Sequence, residues 1–276
     1  MGGTFVFARY AILRLDPFVV AFLRFCLAAS VLILMSHRHN RTAGHSPIPR
    51  RDQRQIWLLG LVIIIFNQTL YLFGQKFTTA AHGALLFSLT PIFVYLMAMS
   101  HLGERWSVTK GLGILLAVAG SAVIMLERGF RMDLTTIKGD LIILVAVVAW
   151  GYYLVWGKPL VEKYGALRVT AYALGGGTLI YFPFGLYRLI VADWSRMDLM
   201  AWGSILYVAL ITSVVGYTMW FWLLKRMEAT RVSILANMQP IVAGVLGIYL
   251  LGEAVNVPFI IGALIILGGV TIAQKA

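Results

Sequence analysis

Inside the long apolar runs of this chain a few polar and aromatic side chains stand out. Asn67, Ser88 and Asn237 carry amide or hydroxyl groups, and Tyr71, Trp150, Tyr153, Tyr217 and Trp220 carry rings. Such a set suits recognition rather than bond-making. A ring face takes an aromatic or cationic group, and an amide orients a polar one. Arg24 and His82 place charge or titratable nitrogen in the same runs, where such groups serve as a proton or polar gate. The plainer readings are an arginine that bonds a neighbouring helix end and an interfacial histidine. Nothing resembles a catalytic set. Every Asp and Glu lies in or beside a polar gap, and His37, His39 and His45 share an Arg-rich gap without partnering carboxylates. No catalytic residue, metal site or cofactor is expected. The glycine-rich runs lack the strand and lysine of a phosphate loop.

The elements that hold these residues follow from composition. The 276 residues are 60% hydrophobic and 12% charged, with a mean hydropathy of +0.85. A soluble domain carries about a quarter charged residues, so lipid is the expected solvent. Runs long enough to span a bilayer fall near 17–36, 55–74, 79–101, 106–126, 139–157, 166–191, 199–224, 229–251 and 254–274, with a partial one near 1–15. The fold class is therefore an all-α integral membrane protein of ten transmembrane helices. The lone Cys26 lies in an apolar run and forms no internal disulfide. No cleaved leader is expected. The net charge of +12 comes from Lys and Arg in the gaps, which reads as membrane orientation rather than nucleic-acid binding. Fourteen of the 23 basic residues fall on one side and seven on the other, so both termini are expected in the cytoplasm.

A shift of 149 residues superposes much of the chain on itself. Pro91 falls on Pro240, Gly103 and Glu104 on Gly252 and Glu253, Gly113 on Gly262 and Gly120 on Gly269. Each unit holds five spans, 1–135 and 136–276. An odd number inverts the second copy, as in secondary transporters with a mid-membrane site. The two prolines then mark mirrored helix breaks that free the carbonyls of Phe87 and Ala236. Ser88 and Asn237 stand beside them, either flanking a central cavity or satisfying loosened backbone. Glu104 reads as a solvated helix end, with a gating ion pair as the rarer reading.

The segments "SLTPIFVYLMAMSHLGE", "NMQPIVAGVLGIYLLGE", "FLRF" (22–25), "WGYYLVWGK" (150–158) and the glycine-rich runs of spans five and ten carry a family likeness. The chain resembles the EamA branch of the drug/metabolite transporter superfamily, over nearly its whole length. The resemblance implies ten helices with cytoplasmic ends, a central cavity and export of small metabolites such as amino acids, aromatic ones included. The substrate-binding residues expected in the cavity are Ser88, Asn237, Asn67, Tyr71, Trp150, Tyr153, Tyr217 and Trp220, with Pro91 and Pro240 as helix breaks. The partners are a small molecule and the lipid bilayer of the cell membrane, with no nucleic acid. Two rivals stay open: an integral-membrane enzyme, and a sugar-phosphate or nucleotide-sugar carrier, which calls for several cavity cations where only Arg9 and Arg24 lie in spans. Under the 149 shift Met1 aligns with Trp150, about half a bilayer into span six. The first helix is thus expected to be truncated, with a longer start upstream.

Overall fold

The computed structural model describes residues 2–43, 47–78, 80–126, 134–239, 241–242 and 257–275. Its elements are helical, as a backbone in lipid must be if it closes its own hydrogen bonds. They are α1 (Thr4–Ile12), α2 (Pro17–Ala43), α3 (Arg50–Gly74), α4 (Ala80–Ser88), α5 (Thr90–His101), α6 (Val108–Leu126), α7 (Leu134–Tyr164), α8 (Ala166–Ile190), α9 (Leu199–Leu224), α10 (Ala229–Ile234) and α11 (Val257–Lys275). Among the described residues seven stretches are long and apolar enough to cross a bilayer: α2, α3, the α4–α5 run from Gly83, α7, α8, α9 and α11. A shorter apolar stretch, Val108–Val123, lies in α6. The Thr4 hydroxyl of α1 meets the Thr212 hydroxyl, mid-way along α9, at 2.8 Å. Leu58, Leu115, Leu179, Met219 and Leu264 point outward and are well exposed, as side chains that face lipid should be.

Helices approach closely where glycines permit it. A Cβ on Gly113 would lie 2.7 Å from the Gly269 carbonyl oxygen, and one on Gly120 would lie 2.7 Å from that of Gly262. α6 and α11 therefore run antiparallel through two glycine contacts. α3 and α8 touch more tightly still. A Cβ on Gly60 would lie 1.8 Å from the Ala173 oxygen. Without a hydrophobic drive between helices in lipid, such backbone proximity supplies the dispersion that holds them.

Two helices widen at their centres. α3 takes a π conformation over Val62–Thr69, and α9 over Val208–Gly216. Hydroxyls bond the carbonyls five residues back: Thr69 Oγ1 donates to Ile64 at 2.7 Å and Ser213 Oγ to Val208 at 3.0 Å. The wide turn carries neighbouring polar residues to the interior together, Asn67 with Gln68 and Thr212 with Ser213. Pro91 breaks the next helix between Ser88 and Thr90. The Phe87 carbonyl that it frees accepts the Thr90 hydroxyl at 2.6 Å. A 3₁₀ stretch, Leu235–Met238, follows α10. Pro240 lies outside the described residues.

Candidate functional site

A cavity of about 50 Å³ lies at the level of the π segments. Its wall combines Thr4 of α1, Arg24 of α2, Gln68 and Tyr71 of α3, Phe87 of α4, Trp150 of α7, Thr212 and Tyr217 of α9, and Gln239 beyond the 3₁₀ stretch. The π turns explain the polar part. They present an amide and a hydroxyl where a regular helix would turn them toward neighbours.

Arg24 is the cation of this wall, and it is 1% exposed. Its Nε donates to Ser213 Oγ at 2.7 Å, Nη1 to Gln68 Oε1 at 2.5 Å and Nη2 to the Tyr217 hydroxyl at 3.4 Å. Its carbon centre lies 5.0 Å from the Phe25 ring and 5.8 Å from that of Tyr217. All these partners are neutral. Among the described residues Arg24 makes no ion pair. The sequence weighed this arginine as a polar gate or as a bond to a neighbouring helix end. Its bonds go to side chains within α3 and α9, and the guanidinium lies at the cavity.

Of the aromatic residues singled out in the sequence, Tyr71, Trp150 and Tyr217 line the cavity. Trp150 lies 5.4 Å from Tyr217, 5.7 Å from Tyr153 and 6.3 Å from Trp220 between ring centres. Tyr153 and Trp220 thus back the Trp150 wall, and Tyr153 stacks on Phe221 at 4.6 Å. Asn67 stands one residue behind: its Nδ2 donates to the Ala146 carbonyl at 2.6 Å, and its Oδ1 accepts from Gln68 Nε2.

Ser88 and Asn237 are buried but do not line this cavity. Ser88 Oγ donates to the Leu85 carbonyl at 2.6 Å, and the wall positions are the adjacent Phe87 and, two residues beyond Asn237, Gln239. The His82 side chain lies outside the described residues. Gln68, Phe87, Thr212 and Gln239 were not singled out beforehand as cavity residues. The amide pair Asn67-Gln68 in an apolar run was the signal for the first of them.

Polar bridges tie the helices together near their ends. At one end, Asp16 accepts from Arg188 at 2.7 Å and lies 3.7 Å from Lys76. Asp198 accepts from the Tyr10 hydroxyl and from Arg14 Nε at 2.8 Å each, and from the Ala201 N–H at 2.6 Å. The Ala201 bond, then the Tyr10 and Arg14 bonds, hold the Asp198 carboxyl below the usual carboxylate range. At the other end Gly103, at φ 68°, turns the chain out of α5. This left-handed turn favours glycine, and it delivers Glu104 to the start of α10. Glu104 Oε1 accepts from the Ala229 N–H at 2.7 Å and from Thr230 N–H at 3.4 Å, and Oε2 accepts from the Thr230 hydroxyl. Among the described residues Glu104 makes no ion pair, and rather than ending in solvent it caps a helix 125 residues away in sequence. The residue that opens α10, Glu228, makes no cap bond of its own. Its carboxylate pairs with Lys110 Nζ at 2.5 Å and Arg231 Nε at 3.3 Å, and the Lys110 bond depresses its pKa.

Comparison with known proteins completes the picture. The model of the EamA-like transporter family matches residues 1–126 and 137–273. The "Uncharacterized transporter YyaM" of Bacillus subtilis (strain 168) is 28% identical, covering 99% of this chain and 89% of that one. An "Uncharacterized transporter" of Archaeoglobus fulgidus is 27% identical over 99% of this chain and 94% of its own. The "Probable terminal-alkyne amino-acid exporter" of Streptantibioticus cattleyicolor is 28% identical, over 82% and 74%. One crystal structure of a protein 18% identical superposes with a TM-score of 0.81 over 99% of this chain and 92% of that one, a likeness of fold. With its run of apolar helices, the chain is a multi-pass membrane protein and belongs to the EamA-like transporter family.

Proposed function

We propose that this transporter exports small organic metabolites, amino acids and their aromatic members foremost, by alternating access around the central cavity. The observation that carries the proposal is the wall itself: aromatic and amide side chains from both the 1–135 and the 136–276 part converge on it. The relative named as an amino-acid exporter supports the substrate class. At about 50 Å³ the cavity is smaller than ligand pockets of about 300 Å³ and more. On this reading the cavity widens to admit cargo as the bridges near the helix ends part.

Two five-helix inverted repeats are the architecture we infer, ten helices in all. Its supports are the antiparallel Gly113–Gly269 and Gly120–Gly262 contacts, which the 149 shift interchanges, and the π segments near the centres of α3 and α9. On this reading the halves rock about the cavity, with the Pro91 and Pro240 breaks as pivots. The charge bias supports cytoplasmic termini, and we place the protein in the cell membrane. Purified protein in liposomes, loaded with amino acids, amines and organic acids, tests the proposal. Counterflow of an aromatic amino acid that Trp150→Ala lowers at least ten-fold is expected. Wild-type protein that moves none of the panel while correctly inserted would refute it.

A further inference from the structure

We propose that Arg24 is the anchor for a carboxylate on the cargo, so that the transported species is a zwitterion or organic monoanion. This rests on the reading of the central cavity as the cargo site. Three observations lead to it. The first is the missing counter-ion. A guanidinium taken out of water needs a negative partner or a full set of acceptors. Among the described residues Arg24 has neither: Ser213, Gln68 and Tyr217 are neutral, and no described Asp or Glu lines the cavity.

The second is the donor count. A guanidinium has five N–H groups. The three bonds use one on Nε, one on Nη1 and one on Nη2, the last of them long at 3.4 Å. Among the described residues that leaves one N–H on each terminal nitrogen for a further acceptor such as a carboxylate oxygen. The third is that Arg24 is the one cation among the described residues of the cavity wall. Arg9, the other arginine near the interior, gives its Nη1 to the Gln75 and Thr78 carbonyls and is absent from the wall. A single guanidinium balances one negative charge. A phosphate or diphosphate needs more, so the site favours a carboxylate. The rings of Trp150 and Tyr217 beside it would hold the cargo's apolar or ammonium end.

The test compares matched probes and a variant that carries its own anion. L-phenylalanine, 3-phenylpropionate, phenylalaninamide and phenethylamine share one ring and differ in carboxylate and amine. Each is added to purified protein to measure thermal stabilisation, and to proteoliposomes to measure counterflow. Gln68→Glu puts a carboxylate on the 2.5 Å partner of Nη1. It should raise the melting temperature, because the guanidinium gains a counter-ion, and abolish the response to both acids. Arg24→Lys keeps the charge but not the fork, and should weaken binding of the acids while sparing the fold. The acids should half-saturate wild type at concentrations about ten- to a hundred-fold below the amide and the amine, the span of one charge-assisted hydrogen bond. Equal responses to acid and amide, or a Gln68→Glu protein that still prefers acids, would overturn the anchor while leaving transport intact. Acids that stabilise wild type through Arg24 but never cross would instead uphold the anchor and sink the transporter reading.

Discussion

Replacing Glu104 removes a cap that one part of the chain supplies to another. α10 starts without a side-chain cap of its own, because Glu228 faces Lys110 and Arg231. In Glu104→Ala the Ala229 and Thr230 N–H groups and the Thr230 hydroxyl lose their acceptor together. An N-cap lost to alanine costs about 0.5–2 kcal/mol, and a negative charge at a helix start adds about 0.3–1 kcal/mol. These overlap, so the expected loss is about 2 kcal/mol. At 2–4 °C per kcal/mol for a chain somewhat shorter than this one, the melting temperature should fall by roughly 4–8 °C. Glu104→Gln keeps an acceptor in place and loses only the charge, so it should fall by about 1–3 °C. Fluorescence-detected size exclusion after graded heating measures both. An alanine variant within about 1 °C of wild type would refute the cap, and so would a glutamine variant as damaged as alanine. The same loss favours states in which this bridge has parted, by about 30-fold for 2 kcal/mol. Counterflow should therefore respond to Glu104→Ala more than the melting temperature alone suggests.

Gly60→Ala would put a carbon 1.8 Å from the Ala173 carbonyl oxygen, so α3 and α8 must part. Folded yield should drop sharply, whereas Gly203→Ala, with open space around it, should raise the melting temperature through about 1 kcal/mol of helix propensity. Equal melting temperatures for the two variants would contradict the packing. Asp198 has a depressed carboxyl pKa, so its contribution is present above the unfolded carboxylate value and is lost only as pH falls through the lower folded one. The melting-temperature gap between wild type and Asp198→Asn should hold constant from pH 8 to pH 5 and close only in stronger acid. Thr90→Val strips the hydroxyl from the Phe87 carbonyl that Pro91 frees, and should lower the melting temperature by a few degrees while Pro91→Ala restores it in the double variant.

Hydropathy carried the sequence reading far, and geometry below one helical turn limited it. The expected spans at 166–191 and 199–224 agree closely with Ala166–Ile190 and Leu199–Leu224, because the bilayer sets their length. The expected spans at 17–36 and 139–157 fall short of α2 and α7. Their polar ends continue as helix past the apolar band, where hydropathy loses them. The π segments were illegible, since an extra residue per turn leaves average hydropathy unchanged. Yet they decide which polar residues meet the cavity. A regular helix through 62–69 would not bring Asn67 and Gln68 inward together, and the reading that named Asn67 passed over its neighbour. Just before the break at Pro91, Phe87 faces the cavity while Ser88 turns back to Leu85. Arg24 shows the same limit from the other direction. Its depth in span two was plain from the sequence, but its lack of an anionic partner among the described residues is a fact of three helices at once. That missing partner gives the cavity its chemical character: polar contacts hold the guanidinium in place without neutralising it, so its charge is available to whatever the cavity admits.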